Sequence, residues 1–233
     1  MECFALCEVK YWYRYINKTE PESNAVDWNG QLRMKNGIAV HNAIESAYKA
    51  NIFTRDFLIS NWKLSWSNLC KPICDQQDVD SEEVRNLWEQ GARSLDMWWS
   101  TTGKLGLHTD RGLVEVMAFD VLQGIPIVGK ADLIYDEVLY DWKTGWGVPK
   151  EETLAKKFQV ILYSHIFEVK KIKYFYLWRN KIVEVDSRDL NPKPTFELLD
   201  AMWFALHENR FKPNHKHCKK CEYSSQCKFL LTN

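Results

Sequence analysis

Hydrophobic residues recur along the chain with two different periods. Near the middle, and again after residue 170, β-branched and aromatic residues form short runs bounded by turn residues, a pattern typical of β-strands. Elsewhere apolar residues return every three or four positions, which predicts helices. The predicted strands are Leu113–Val121, Ile127–Tyr135, Val138–Trp142, Ile172–Trp178 and Ile182–Val185. The predicted helices are Glu2–Ile16, Ile38–Ala50, most of Phe53–Thr102, Glu151–Phe167 and Pro194–Asn209.

The order of these elements predicts the fold class. Helices come first, three consecutive strands follow, one helix leads to two further strands, and a last helix precedes a polar tail. We therefore expect an α/β domain with a mixed central β-sheet flanked by helices. A length of 233 residues suits a single domain of ordinary size, 1–233. The polar stretch Thr19–Gly30 predicts a loop.

Composition indicates the cellular compartment of the protein and the chemical state of its cysteines. Apolar residues make up 45% of the chain and charged residues 27%, as in soluble globular proteins. No apolar run is long enough to span a membrane, and the first residues lack the apolar stretch of a secretory signal. We expect a cytoplasmic protein, in the host cytoplasm if the chain is viral. In that reducing setting the seven cysteines are expected to be free thiols or metal ligands.

Charge is balanced overall but not along the chain. Lys and Arg together number 31, as do Asp and Glu, so the whole molecule does not attract nucleic acid by its net charge. Basic residues are in excess from Lys143 to Lys181, and acidic residues are in excess from Asp75 to Trp98. The basic stretch fits local contact with phosphates. Ordinary solvated helix faces explain the same pattern equally well.

Candidate chemistry is concentrated in the second and third predicted strands. Asp132 ends the sequence GKAD on one strand, and Asp141 and Lys143 lie on the next strand, two positions apart and on the same side. If these strands pair about Asp136-Glu137, the two carboxylates can hold Mg²⁺ or Mn²⁺. A lysine beside them can orient water and stabilise negative charge on a phosphate. The alternative is a solvated, charged rim without chemistry.

Further polar residues stand at helical spacing. His41 follows Gly37 near the start of a predicted helix, where a single histidine is more often structural than a ligand. Gln159 and Tyr163 lie four positions apart on the helix after the lysine strand, so they face the same way. Most tryptophans are expected in the core. Trp142 and Trp146, beside the predicted site, are the candidates for stacking on nucleobases.

The tail carries a metal-binding pattern in HCKKCEYSSQC. Cys218, Cys221 and Cys227 form a C-x2-C-x5-C cluster, which can supply three ligands to one metal. A fourth ligand from His215 or His217 would favour zinc. A distant fourth cysteine would permit an iron–sulfur cluster.

The order of these motifs resembles the RecB-like branch of the PD-(D/E)XK nuclease superfamily. Within it, the resemblance is to iron–sulfur members, above all the small CRISPR-associated RecB-like exonucleases. The resemblance covers nearly the whole chain, except for a helical insertion, 52–110, that carries no matching motif. The matching motifs, in chain order, are Cys7, Gly37-x3-His41, GKAD with DWKTG, Gln159-x3-Tyr163 and the C-x2-C-x5-C of the tail, 209–233.

The resemblance implies a restriction-endonuclease-like core and a role for each matched residue. The metal ligands would be His41, Asp132, Asp141 and the carbonyl oxygen of Trp142. Lys143 would be the catalytic lysine, with Gln159 and Tyr163 supporting the site and the nucleic-acid strand. The 4Fe-4S ligands would be Cys7, Cys218, Cys221 and Cys227, which would join the two ends of the chain. Cys3 offers a competing thiol near the amino terminus.

The function implied is a Mg²⁺- or Mn²⁺-dependent DNA exonuclease. It would act on single-stranded or unwound DNA ends, in CRISPR adaptation and antiviral defence or in DNA recombination and repair. Adaptation or recombination proteins would then be partners besides DNA. The alternative is a catalytically silent, nuclease-like module that binds DNA or a partner, with a structural zinc or iron–sulfur site.

Overall fold

A mixed β-sheet of five strands runs through the computed structural model, which describes residues 1–21, 27–77 and 79–229. The strands lie side by side in chain order. β3 and β4 are parallel, whereas the pairs β2–β3 and β4–β5 are antiparallel. The predicted mixed sheet flanked by helices is therefore confirmed. The strands are β1 (Leu113–Leu122), β2 (Ile125–Tyr135), β3 (Val138–Lys143), β4 (Lys171–Tyr176) and β5 (Lys181–Asp186).

The helices also follow the predicted order, with different bounds. The amino-terminal helix is divided into α1, α2 and a π-helical turn, Trp12–Ile16. The helix predicted over Glu151–Phe167 is interrupted at Lys157, whose backbone is extended. The α-helices are α1 (Glu2–Leu6), α2 (Glu8–Tyr11), α3 (Trp28–Ala50), α4 (Arg55–Leu69), α5 (Lys71–Gln76), α6 (Ser81–Lys104), α7 (Glu151–Leu154), α8 (Phe158–Ile166) and α9 (Lys193–Glu208).

Two predicted boundaries were wrong for local reasons. α3 begins at Trp28, ten residues before the predicted start, because the Asp27 side chain caps it by accepting from the Gly30 N–H over 2.7 Å. Of the predicted loop Thr19–Gly30, residues 22–26 lie outside the described chain. β4 ends at Tyr176, since Leu177–Arg179 form a 3₁₀ turn into β5.

Residues 27–119 and 128–190 form one compact unit around the sheet. Helices α3, α4 and α6 pack on one face of the sheet, where Trp62 and Trp98 share a core with Trp142 and Phe175. α8 packs on the other face against buried Leu139 and neighbouring side chains of β4. Burial of both faces explains why β3 is apolar from Val138 to Tyr140 and again at Trp142.

The parallel pair determines where the site forms. α7 and α8 connect β3 to β4, so the carboxyl ends of both strands meet at one edge of the sheet. In the register of this pair, Lys143 lies opposite Tyr176. Side chains and loops that follow these two strands are therefore neighbours.

The second compact unit consists of the described residues within the ranges 1–26, 120–127 and 191–233. Its small core includes Val9, Tyr13, Tyr223 and Cys227. The rings of Tyr13 and Tyr223 stack with centroids 5.4 Å apart, and the Tyr13 hydroxyl donates to the Gln226 carbonyl over 2.8 Å. The amino-terminal helices thus hold the carboxy-terminal tail. Within the described residues, none of the helices is both long enough and apolar enough to cross a membrane.

Candidate active site

Side chains from three elements of the described chain form a candidate metal site, here named the carboxylate–histidine group. α3 contributes His41, β1 contributes Glu115 and β2 contributes Asp132, and one donor atom of each lies within 4.8 Å of the others. His41 Nδ1 lies 3.1 Å from Asp132 Oδ1. The Trp142 backbone N–H donates to Asp132 Oδ2 over 2.7 Å. One imidazole nitrogen and two carboxylates suit Mn²⁺ or Mg²⁺, so these residues fit the predicted ion.

Two motif glycines allow the close packing that this group needs. A Cβ atom at Gly37, one turn before His41, would lie 2.9 Å from Thr144 Oγ1. A Cβ atom at Gly129 would lie 2.9 Å from the Phe167 ring. A larger residue at either position would displace Thr144, where α3 meets the loop after β3, or Phe167, where β2 meets the end of α8.

Glu115 is the member of the group that the sequence prediction missed. Its side chain is only 12% exposed and forms an ion pair with Lys130. Its backbone has φ of 53°, a left-handed conformation that costs energy in a residue with a side chain. Such strain is typical of functional sites. The available signal was a carboxylate between two valines in a predicted strand.

Asp141 and Lys143 form a close ion pair beside this group. Lys143 Nζ lies 2.7 Å from Asp141 Oδ1, and the two side chains project to the same side of β3 as predicted. Asp141 is 5% exposed, whereas the Lys143 side chain is 33% exposed. Lys143 Nζ also lies 5.1 Å from the centre of the Tyr174 ring. The ammonium group is thus held in place and remains accessible.

Gln159 and Tyr163 connect this pair to the backbone of the GKAD strand. The Gln159 amide donates to Asp141 Oδ2 over 3.3 Å and to the Tyr163 hydroxyl oxygen over 2.9 Å. Gln159 Oε1 accepts from Lys143 Nζ over 3.3 Å. The Tyr163 hydroxyl donates to the Lys130 carbonyl over 2.6 Å. The four side chains therefore form one continuous network.

Burial and neighbouring charge shift the titration of two residues. Burial raises the pKa of Asp141, the Lys143 ammonium opposes that rise, and the Asp132 carboxylate adds to it. Burial would lower the pKa of His41, but its hydrogen bond with Asp132 and the nearby carboxylates outweigh burial and raise that pKa. Protons and a divalent cation would therefore compete for these groups.

The two tryptophans predicted for stacking lie in different environments. Trp142 is 2% exposed and packs edge-on against Trp98 and Phe175, so the prediction that its ring stacks on a base was wrong. Trp142 lies on β3, as predicted, but packed side chains cover both faces of this strand. Its carbonyl oxygen as a metal ligand stays a prediction. Trp146 is 46% exposed.

An open cleft of about 460 Å³ borders the carboxylate–histidine group. Its lining includes all three members of the group, Lys130 and Thr144. A phosphodiester can therefore approach the possible metal site from solvent.

The four cysteines predicted as cluster ligands, here named the cavity cysteines, line one cavity of about 240 Å³. These residues are Cys7, Cys218, Cys221 and Cys227. Hydrogen bonds tie the amino terminus to the tail beside this cavity, because Asn214 donates from its backbone to the Cys7 sulfur over 3.4 Å and from its side chain to the Leu6 carbonyl over 2.9 Å. The assignment of these thiols as 4Fe-4S ligands stays a prediction.

One histidine of the tail and the three remaining cysteines lie in different places. His217 lines the same cavity. Cys3 is half-buried in α1. Cys70 is buried in the core that the sheet shares with α3, α4 and α6, and Cys74 packs against that core. Core packing therefore accounts for both Cys70 and Cys74.

A family model described as the PD-(D/E)XK nuclease superfamily matches residues 1–228. The match therefore includes the carboxylate–histidine group, the Asp141–Lys143 pair and the cavity cysteines. Among solved structures, the chain is similar to SSO0001, with 17% sequence identity, coverage of 82% of this chain and 83% of that chain, and a TM-score of 0.36. No curated protein matches the chain.

Proposed function

We propose a metal-dependent DNA nuclease activity for this chain, which belongs to the PD-(D/E)XK nuclease superfamily. The proposed reaction is hydrolysis of phosphodiester bonds at single-stranded or unwound DNA ends, by an exonuclease. One observation carries this proposal: the carboxylate–histidine group lies beside a buried Asp141 whose carboxylate holds an accessible Lys143. An ion pair with a purely structural role would not need a metal-binding group beside it.

The proposed ligands of the catalytic ion are His41, Glu115 and Asp132, with Asp141 and the Trp142 carbonyl as the further ligands implied by the motif. When bound, Mg²⁺ or Mn²⁺ supplies Lewis-acid stabilisation of a phosphate oxygen and a more acidic water. Lys143 Nζ orients the attacking water by hydrogen bonding and offsets charge that develops on the phosphate.

Gln159 and Tyr163 act as positioning residues in this proposal. The Gln159 amide bridges the lysine and the aspartate, and the Tyr163 hydroxyl fixes that amide against β2. Their hydrogen bonds hold Lys143 in one geometry before substrate arrives, so little reorganisation is needed during the reaction.

Digestion of end-labelled single-stranded DNA with Mn²⁺ or Mg²⁺ tests the nuclease proposal. We expect Asp132→Ala and Lys143→Ala each to lower the rate by roughly 100-fold or more, because each removes a preorganised charge from the reacting centre. Asp96→Asn is the matched control, since Asp96 pairs with Arg55 on the surface. If Asp132→Ala and Lys143→Ala digest DNA as fast as the parent, the proposal is wrong. DNA binding by a parent protein that never digests it would instead indicate a silent binding module.

We further propose that the chain is of the RecB-like, iron–sulfur type and acts in the cytoplasm, in CRISPR adaptation or in DNA recombination and repair. The support is the shared cavity of the cavity cysteines. A zinc ion with Zn–S bonds of about 2.3 Å would bring its sulfur ligands within about 4 Å of one another. Four thiols around one cavity can serve either a zinc ion or an iron–sulfur cluster, so metal analysis decides between them.

Anaerobic purification with iron, sulfide and zinc analysis separates these cases. We expect brown protein containing iron and sulfide, with both lost in Cys221→Ser. Colourless protein with stoichiometric zinc would contradict the iron–sulfur proposal. It would leave the nuclease proposal standing.

A further inference from the structure

Two tryptophan rings and two guanidinium groups cluster beyond the carboxyl ends of β3 and β4. Trp146 lies in the loop after Lys143, and Trp178 follows β4. Their ring centroids are 4.7 Å apart, at 67° to each other. The guanidinium carbon of Arg93 lies 4.8 Å from the centre of the Trp178 ring, and that of Arg179 lies 5.9 Å from the centre of the Trp146 ring. We name these four residues the tryptophan platform.

The platform has an aromatic surface open to solvent. Trp146 is 46% exposed and Trp178 is half-buried, whereas Trp62, Trp98 and Trp142 are at most 2% exposed. Glycines flank Trp146 on both sides, and a Cβ atom built at either glycine would meet no atom within 4 Å. Trp146 therefore has room beside it for a planar ligand.

The platform also carries positive charge that its surroundings leave uncompensated. In the same basic stretch, Lys170, Lys171 and Lys173 each pair with a glutamate. Neither Arg93 nor Arg179 forms an ion pair with a carboxylate of the described residues. Arg179 Nε donates to the Trp146 carbonyl over 3.4 Å, which leaves its terminal nitrogens available for an anion.

Helix α6 holds both loops of the platform in place. The Gln90 amide donates to the Thr144 carbonyl over 2.6 Å, in the loop between Lys143 and Trp146. The Thr101 hydroxyl donates to Asn180 Oδ1 over 2.8 Å, in the turn after Trp178. Arg93 belongs to the same helix. Because the loops are already ordered, a ligand loses little conformational freedom by binding here.

We propose that the tryptophan platform binds an unpaired nucleotide next to the bond that is cut. The exposed ring of Trp146 stacks on the base, and Arg93 and Arg179 contact the backbone phosphates. Aromatic stacking accepts any base but needs a base face that is free, and guanidinium groups supply the backbone contact. A duplex keeps its base faces stacked on each other. The proposal rests on the proposed nuclease function and deepens it, since it assigns the preference for single strands to specific residues.

Fluorescence anisotropy with a labelled oligo-dT strand and a labelled duplex of equal length tests this, with EDTA present so that binding is measured without cleavage. We expect the double variant Trp146→Ala/Trp178→Ala to bind the single strand about tenfold more weakly or worse, because stacking contributes roughly 1–3 kcal/mol per base. Duplex binding should change little. Trp146→Phe should keep part of the affinity, since it keeps an aromatic face.

Trp99→Ala is the matched control, and its single-strand affinity should equal that of the parent. Trp99 is also on α6 and 38% exposed, but its indole N–H donates to the Phe53 carbonyl, away from the platform. Thermal melting of each variant checks that it is folded.

Three outcomes would contradict the proposed binding of an unpaired nucleotide. The parent and the double variant could bind the single strand equally well, or the double variant could lose single-strand and duplex binding to the same extent. The third is a parent protein that does not bind the single strand. Failure of the nuclease proposal is a different result, because it appears as unchanged digestion in Lys143→Ala. Binding in EDTA does not depend on the chemistry, so the two failures are distinguishable.

Discussion

The carboxylate–histidine group and the cavity cysteines contrast in how closely the folded chain brings their donors together. In the first, donors from α3, β1 and β2 lie within 4.8 Å of one another. In the second, one thiol between α1 and α2 and three thiols in or directly after short 3₁₀ turns line a cavity of about 240 Å³. Long elements buried on the sheet define donor positions without a ligand. Short turns have few contacts of their own, so a bound ion or cluster contributes more to their order.

Replacing Glu115 is the strongest test of the preassembled group. Glu115→Gln removes one of three charged or imidazole donors, so we expect Mn²⁺ affinity and DNA digestion both to fall by roughly 10- to 100-fold. Titration calorimetry measures the affinity. The matched variant is Lys130→Met, which removes the ion pair of Glu115 but keeps every donor. Equal losses in Glu115→Gln and Lys130→Met would mean that Glu115 acts through the ion pair and not as a ligand.

Glu115 also shows where prediction from sequence stops. The strand pattern identified Asp132, Asp141 and Lys143, because alternation along paired strands decides which side chains share a side. Glu115 has a left-handed backbone conformation, which a strand pattern does not predict. Gly37 was part of a predicted motif, yet its physical reason, the approach of Thr144, exists only in the folded chain.

The cysteines show a different limit. Spacing in the tail identified three thiols, and the family resemblance added Cys7, which the fold brings to the same cavity. Distances between sulfur atoms depend on short turns, about which the sequence pattern says little. Trp142 was misassigned for a related reason: the alternation of β3 predicts which side a residue faces, but not that helices cover both sides.

The cavity cysteines should respond to mutation in the opposite way from the carboxylate–histidine group. If the proposed cluster is bound, Cys221→Ser should lower the melting temperature by on the order of 10 °C, because metal binding contributes to folding free energy. Mn²⁺ affinity should stay within about twofold of the parent value. Calorimetry of unfolding and of Mn²⁺ binding measures both quantities. Cys74→Ser is the control, since Cys74 is half-buried outside this cavity.

A matching loss of stability in Cys74→Ser would show that thiol packing, and not a bound cluster, explains the effect. Loss of Mn²⁺ affinity in Cys221→Ser would contradict the independence of the two regions. Either result would contradict the proposed contrast, in which the fold alone positions the carboxylate–histidine group and a bound ligand orders the cavity cysteines.

The smallest expected effect concerns the network that holds Lys143. Tyr163→Phe removes the bond to the Lys130 carbonyl and leaves the Gln159 amide without one acceptor. Each such hydrogen bond is worth about 1 kcal/mol, so we expect kcat to fall by roughly tenfold, with KM nearly unchanged. Steady-state digestion of a single strand separates the two parameters.

Tyr174→Phe is the control for this prediction, because it removes a hydroxyl from the same side of the sheet. The Tyr174 hydroxyl is buried and has no hydrogen-bond partner in the described chain. Its ring, which faces Lys143, is kept in phenylalanine. Removing an unpaired buried hydroxyl should leave kcat unchanged and stability equal or slightly higher. If Tyr174→Phe slows digestion as much as Tyr163→Phe, the rate depends on general packing around Lys143, and the specific role of the Gln159–Tyr163 network is wrong.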